Sequence, residues 1–570
     1  MKIKGITTSK GIAFGTAFML VKKHVDVSFK TCTDIETAIN ELHAAIKKSK
    51  DQLKAIVKKT KEEIGEKESK IFNAHSLILD DPEYVKSIEN IITKENVCVA
   101  YAVEQTRKMF EAMFLGMDNS YMRERAADIN DVSNRLIRAV LNIEDSIDVP
   151  VGTILICEDL EPSDTAALDP AKIAGIITEK GGETSHSAII AKSLAIPAIS
   201  NVKMDSGNVV TGDKLILDAI EGVLIVNPTE SELAHYQNIK DHFVKEQSVY
   251  KVGMLDRVMT LDGHEVEISA NIASVDHLKN ILEQGADGVG LFRTEFLYMN
   301  RTSPPSVEEQ YNAYKTALQA FGDKPMVIRT FDIGGDKRID YLNLEEEMNP
   351  FLGYRAIRIS LDRKELFKVQ IKALLMASPY GNLKIMFPMI SSIEELLQTR
   401  EVIDSVRIEM EKENIPIGDY EIGMMVEIPA VAVQADKFAK YVDFFSIGTN
   451  DLLQYTVAVD RMNEKLTHLY SWYHPGLLEM IKMVAKAGEK AGIWVGICGE
   501  AAADPNLLPF YVGIGIHELS MSPSKIAEIK WRLRHLSKSE MSEVVAHVLS
   551  LDTSEQVKRY LTTLEKNLQH

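Results

Sequence analysis

From residue 262 onward the chain alternates short apolar runs with longer helical segments, and the runs number eight: 266–272, 288–292, 326–330, 383–388, 423–428, 444–447, 494–497 and 518–521. A repeat of strand and crossover helix has few stable solutions, and eight such units predict a closed (β/α)8 TIM barrel. The fold class is therefore α/β, with the barrel over 255–570. Barrels keep their chemistry at the C-terminal ends of the strands, where the loops converge. At those ends this sequence crowds Arg293, Arg329, Glu427, Asn450 with Asp451, and Cys498.

The preceding residues follow other periods. Residues 1–21 read as strands whose natural continuation is the strand-and-turn stretch 146–228, so one α/β domain is interrupted by an insertion at 34–145. From Asp34 to Leu141, Leu, Ile, Ala and Phe recur at three- and four-residue spacing among Lys and Glu, with few glycines or prolines. That pattern predicts an antiparallel helical bundle. Pro228 closes the α/β domain, and 230–251 reads as a polar linker helix able to act as a lever.

Within the α/β domain, residues 181–186, Gly-Gly-Glu-Thr-Ser-His, follow the apolar run 174–177. They place His186 between a glycine turn and the first turn of a helix capped by Thr184 or Ser185. Free N–H groups and the helix dipole favour an anion there, so a phosphorylated histidine suits the position. Taken alone, the same local pattern favours a core histidine after a capped turn over a functional one.

Composition narrows the partners. A formal net charge of −18 argues against nucleic acid as the main ligand. No stretch reaches the roughly 20 apolar residues of a membrane span, and the glycines, Thr and Ser within 5–20 suit strand and turn better than a signal peptide. A cytosolic protein is expected. Cys32, Cys98, Cys157 and Cys498 are scattered without a Cys-x-x-Cys pair, which disfavours a disulfide framework and a zinc site.

The barrel rim implies a multiply charged anion. Arg293, Arg329 and Arg461 can converge on carboxylate or phosphate oxygens in bidentate fashion. Glu427 and Asp451 offer hard oxygen ligands on neighbouring strands, few enough that Mg²⁺ would complete its shell with water and substrate oxygens. Cys498 would face the same mouth as an acid/base. Each residue alone has a plain structural reading: an ion pair for either arginine, a small buried hydrophobe for the cysteine, and a simple turn for Gly334-Gly335. Independent accidents do not put two arginines, two acids and a thiol at five strand ends.

Several segments resemble one family closely. Gly-Gly-x-Thr-Ser-His, Gly-Leu-Phe-Arg-Thr-Glu-Phe, Phe-Ser-Ile-Gly-Thr-Asn-Asp-Leu, Gly-Ile-Cys-Gly-Glu and the N-terminal Gly-Ile-Ala-x-Gly resemble Enzyme I, the phosphoenolpyruvate–protein phosphotransferase of the bacterial sugar phosphotransferase system, in the same order over essentially the whole chain. The resemblance implies a Mg²⁺-dependent homodimer, joined through its C-terminal domain, that phosphorylates itself from phosphoenolpyruvate and passes the group to the phosphocarrier protein HPr. It implies His186 as the phosphorylated residue and Cys498 as proton donor. It makes Arg293, Arg329, Asn450, Asp451 and Arg461 substrate-binding and Glu427 and Asp451 metal ligands, with Arg355 a further substrate arginine and Thr165 a hydroxyl near the histidine. HPr is expected on the helical insertion, near Glu66, Glu68, His75 and Arg125. The sequence departs from the family at Glu183, where many members carry arginine, and at Ile199-Ser200-Asn201, where a glycine-containing sequence is usual. Pyruvate phosphate dikinase and phosphoenolpyruvate synthase share these domains, but here no glycine-rich nucleotide cradle precedes the histidine domain. A non-catalytic scaffold is expected to have lost a barrel ligand, and none is missing.

Overall fold

The computed structural model describes the chain apart from residues 21–26, 33, 64–71, 73–74, 117–119, 144–148, 161–167, 183–184, 204–208, 277, 300, 336, 338 and 569–570, and apart from the side chains of residues 58–63, 120–125, 127, 186, 189, 193, 340 and 464. It divides into two compact units, Met1–Lys245 and Glu246–His570. No helix among the described residues is long and apolar enough to cross a membrane.

The first unit opens with β1 (Lys2–Lys4), β2 (Ile6–Ser9) and β3 (Ile12–Met19). A helical insertion follows: α1 (Ile35–Glu63), α2 (Pro82–Glu95), α3 (Val99–Leu115) and α4 (Ser120–Val140). Apolar residues at helical spacing, among them Leu42, Ile88, Ile92, Val103 and Leu136, form its own core. Asp81 caps α2 by accepting from the Glu83 amide at 2.8 Å, Pro82 takes the first helical position, and Asn96 ends the helix in the left-handed region at φ 53°. The chain then returns to the sheet with β4 (Thr153–Cys157), β5 (Ile173–Thr178), α5 (His186–Ser193), β6 (Ala198–Ser200), β7 (Lys214–Asp218) and β8 (Val223–Val226). The strand order is β1-β8-β7-β3-β4-β5-β6-β2, parallel from β3 through β6 and antiparallel elsewhere. Near-continuous apolar strands such as Ile154–Leu155–Ile156 bury both faces, as a covered parallel sheet requires.

Helix α6 (Glu230–Tyr250) crosses the division between the units. Its first turns pack Leu233, Tyr236 and Ile239 onto Ile12, Ile216 and Ile225 of the sheet, and Tyr250 packs on Trp531 with ring centroids 5.4 Å apart. Between them, residues 244–249 are exposed.

In the second unit β9 (Val258–Met259) pairs antiparallel with β10 (Glu265–Ile272). Seven further strands follow: β11 (Val289–Arg293), β12 (Pro325–Arg329), β13 (Asn382–Phe387), β14 (Tyr420–Val426), β15 (Phe444–Ile447), β16 (Trp494–Ile497) and β17 (Glu518–Met521). From β10 to β17 all neighbours are parallel, and β10 pairs with both β11 and β17, which closes the expected TIM barrel. Inside it, Leu291, Val327, Met386, Met425, Phe444 and Cys498 pack together, with Phe444 stacked 4.3 Å from Trp494. The strands differ from the expected runs by up to three residues. Parallel pairing holds Arg293 and Arg329 within β11 and β12, whereas Glu427 falls one residue beyond β14.

Candidate active site

Because the barrel strands are parallel, the residues that end them share one rim. Arg293 and Arg329 are direct Cα partners across β11 and β12, so two guanidiniums leave the barrel side by side. Glu427 follows β14, and Cys498 follows β16. After β15, helix α7 (Thr449–Val457) brings Asn450 and Asp451 to the rim in its first turn. The Asn450 side chain accepts from the Glu500 amide at 3.2 Å, which ties the loops after β15 and β16 together.

Asp332, three residues beyond β12, is the hub of the charge network. Arg355 donates to it through Nε and Nη2 at 3.0 Å each, Arg329 Nη1 lies 3.2 Å away and Lys337 Nζ 3.4 Å away. Burial by itself would raise the Asp332 carboxyl, but Arg329, Arg355 and Lys337 outweigh it and hold the group well below the usual carboxylate range. Glu295 plays the same part for Arg329 (2.8 Å) and Lys337 (2.7 Å). Arg355, only 1% exposed, reaches on to both carboxylate oxygens of Asp451 at 3.4 Å and to the Tyr455 hydroxyl at 3.2 Å. Its guanidinium also lies over the Phe351 ring, as does that of Arg461. Arg293, half-buried, has no hydrogen-bond or ion-pair partner among the described residues. A cation next to a braced cluster, itself unbraced, is available to an incoming anion.

Glu427 is fully buried. One oxygen accepts from the Met389 amide at 2.6 Å, while Oε2 has no partner among the described residues. Burial, then repulsion from Asp451 and Asp332, pushes this carboxyl up to about 8. Two acids that repel one another, one with an orphaned buried oxygen, are a donor set suited to a divalent cation. Cys498 is 3% exposed, and burial pushes its thiol up to about 12, so it carries its proton at neutral pH. A protonated thiol beside arginines can give a proton to a carbanion-like product.

His186 belongs to the other unit, as the first residue of α5; its side chain lies outside those described. Ser185, not Thr184, caps the helix: its hydroxyl accepts from the Ala188 amide at 3.3 Å and donates to the Gly182 carbonyl at 2.8 Å. Gly181 turns at φ +95°, and a Cβ there would meet Ser185 at 3.0 Å, so the bend favours glycine. Thr165, Glu183, Thr184, Glu66 and Glu68 lie outside the described residues, as does the side chain of Arg125. His75 is 1% exposed, with Nε2 3.2 Å from Asp128 and Nδ1 3.4 Å from Asp131, so it supports the bundle from within instead of offering itself to a partner.

Sequence reasoning left out Glu295, Asp332 and Lys337 and treated Gly334-Gly335 as a simple turn. That turn has φ +102° and +66°, and a bridge between Gly334 and Lys337 folds Lys337 back onto Glu295 and Asp332. The acids were visible as the charged positions closing Arg-Thr-Glu and Arg-Thr-Phe-Asp.

Three families match the chain in succession. They are described as the N-terminal domain (residues 4–125), mobile domain (149–222) and PEP-binding domain (250–538) of PEP-utilising enzymes, where PEP is phosphoenolpyruvate. A rim of buried arginines, acids and a protonated thiol on a TIM barrel is thus that of a phosphoenolpyruvate-utilising enzyme. The phosphoenolpyruvate-protein phosphotransferase of Priestia megaterium is 44% identical over 563 residues, covering 98% of each chain, and that of Bacillus subtilis is 43% identical over 563 residues, covering 98% of this chain and 99% of its own. A solution structure of an Enzyme I (nEIt) protein is 33% identical and covers 42% of this chain and 99% of its own, with a TM-score of 0.38. The chain belongs to the phosphoenolpyruvate-protein phosphotransferase family, transferases of the phosphotransferase system that phosphorylate histidine from phosphoenolpyruvate.

Proposed function

We propose that this chain phosphorylates itself on His186 from phosphoenolpyruvate held at the barrel rim and hands the group to HPr, as a cytoplasmic homodimer joined through the barrel unit. The observation that carries the reading is the buried network of Arg329, Arg355, Asp332, Asp451 and Glu427 at one end of the barrel. Arg293, Arg329 and Arg461 bind the phosphate and carboxylate oxygens, and Asn450 and Asp451 orient the substrate. Arg355, locked on Asp332, keeps its positive charge fixed beside them. Glu427 and Asp451 would hold Mg²⁺, which supplies charge stabilisation at the substrate oxygens.

In this reading the His186 imidazole attacks phosphorus in line, and the bond from phosphorus to the enol oxygen breaks. The arginines stabilise negative charge on the transferring and departing oxygens. Cys498 then gives its proton to the enolate carbon, and pyruvate forms. His186 has to travel between loading and delivery, and α6, exposed over 244–249, is the segment we assign to that movement. The helical insertion is the HPr platform, offered by its surface residues around the buried His75.

Labelling the purified protein with phosphoenolpyruvate, with and without Mg²⁺ and ATP, tests the reading. The expected product is a phosphoramidate on His186 that needs Mg²⁺ and no nucleotide. A phosphoramidate that persists in His186→Ala would move the acceptor to another histidine.

A further inference from the structure

The barrel interior beneath Cys498 holds two carboxyls that the reaction above leaves unused. Pairing of β15, β16 and β17 sets Ser446, Gly496 and Glu518 abreast in one row, and pairing of β17 with β10 adds Glu267 beside Glu518. Side chains two apart on a strand share a face, so Gly496 points inward with Cys498, one layer below it. Glu518 is 4% exposed. A Cβ added at Gly496 or Gly290 would overlap its carboxyl oxygens, so both glycines keep the space that this acid fills. Ser269 donates to Glu267 at 2.9 Å and lies against Glu518, and the Ser446 hydroxyl lies against the Cys498 thiol. Glu518 Oε1 and Ser446 Oγ are both buried without a hydrogen-bond partner among the described residues.

Such a pair is costly as a structural device. A buried acid beside a half-buried one, with no hydrogen-bonded guanidinium among the described residues, destabilises a core that apolar residues would fill better. The groups facing Glu518 are Glu267 and Ser269 on β10 and Cys498 beyond β16. Those facing Glu267 are Ser269, Asp287, Lys384 and Arg257. Burial, with Glu267 second, pushes Glu518 well above the usual range, and burial raises Glu267 as well. Both carboxyls are thereby biased toward the protonated form. Glu267 also leads outward: Lys384 pairs with Glu421 at 2.5 Å, and Glu421 lines a solvent-open cleft at the foot of β13 and β14 with Asn382 and Tyr420.

We propose that Glu518 is a positioning residue for the acid Cys498, holding a proton inside the barrel and returning it through Ser446 once the thiol has discharged. This rests on the reading of Cys498 as proton donor. In the chemical step the Cys498 S–H bond breaks and a C–H bond forms on the enolate, which leaves a thiolate. In the return the Ser446 proton passes to sulfur while the Glu518 O–H bond breaks and its proton passes to the Ser446 oxygen. The charge now lies on Glu518, which takes a proton from Glu267 through Ser269. Glu267, facing Lys384, regains one from solvent at the barrel foot. One solvent proton enters per pyruvate formed.

Glu518→Gln keeps the shape and removes the stored proton. With phosphoenolpyruvate and HPr, its first turnover is expected to run at the wild-type rate, because Cys498 starts protonated. Later turnovers should slow about tenfold or more, giving a burst of pyruvate with KM for phosphoenolpyruvate unchanged. Ser446→Ala should show the same burst and serves if Glu518→Gln fails to fold. A steady-state kcat equal to wild type in the variant measured overturns the proposal, and so does a first turnover slowed as much as the later ones, which marks a structural role. Cys498→Ala measured alongside separates the two layers: a normal first turnover in that variant removes the reading of Cys498 itself, whereas a slow one leaves Glu518 to stand or fall alone.

Discussion

At the barrel rim Asp332 alone answers to three cations, and Arg355 is held by two carboxylates and a phenol. At the His186 turn the described contacts are a glycine bend, one serine cap and a second serine, Ser187, 3.0 Å from the first. In the proposed reaction the two regions serve opposite needs. A site that binds a trianion and stabilises its departure benefits from charges fixed before substrate arrives, and buried mutual pairing fixes them. A nucleophile that must serve two partners benefits from a small mount with few commitments, and an eight-residue helix end is one.

The comparison can be broken most completely by cutting the chain. A fragment of residues 1–250 holds the turn and none of the rim. It should accept phosphate from phosphorylated HPr and stay unlabelled by phosphoenolpyruvate. Labelling by phosphoenolpyruvate would put a substrate site in the first unit and end the division of labour.

Next in size is Cys498→Ala. Its expected loss is about 10²- to 10⁴-fold in kcat with phosphoenolpyruvate binding retained, because in the proposed reaction the thiol acts on the enolate and not on the ground-state anion. Steady-state kinetics alongside equilibrium binding measure both. Near-normal turnover would assign the proton to another group.

Asp332→Asn tests the bracing itself. Leaving Arg329 and Arg355 buried and partly unpaired should destabilise the barrel by about 3 kcal/mol. The three tryptophans, Trp472, Trp494 and Trp531, all lie in Glu246–His570, so fluorescence during urea unfolding reads that unit alone. The folded-state pKa of Asp332 is depressed, so its contribution is complete above the ordinary value of about 4 and is lost as pH falls below it. The variant should therefore lose part of the acid limb of the stability profile. An unchanged midpoint at pH 7 would show that the network is not a brace.

The smallest effect is expected at Gly181→Ala, where φ +95° opposes any side chain. A cost of about 1 kcal/mol, confined to the first unit, should appear as faster amide exchange around α5 and slower acceptance of phosphate. Exchange equal to wild type would mean that the bend tolerates a methyl group.

The barrel was legible because eight apolar runs repeat at crossover spacing, and its rim because Arg329, Glu427, Asp451 and Cys498 stand at or within four residues of the C-terminal ends of those runs. Asp332, Glu295 and Lys337 were not legible as a network, because their pairing depends on an irregular loop in which Gly334 packs against Tyr354 and Arg355, far along the chain. Glu518 was hidden for another reason. In the sequence it opens an apolar run like any polar residue at a strand start, and only the closed register shows that it points inward beside Glu267.

One feature of the first unit bears on handling the protein. The barrel has no free edge, whereas in the other sheet both edge strands come from a single stretch: β1 pairs with β8 at one margin and β2 with β6 at the other, joined by Gly5 alone. Residues 2–9 thus act as a clasp, short and carrying Lys2 and Lys4, which discourages further strand addition. Removing them would bare the backbone of Val223–Val226 and Ala198–Ser200 together, two apolar margins ready to pair with other chains. A version trimmed of its first nine residues is therefore expected to pair with its own copies and aggregate before any question of catalysis could be asked of it.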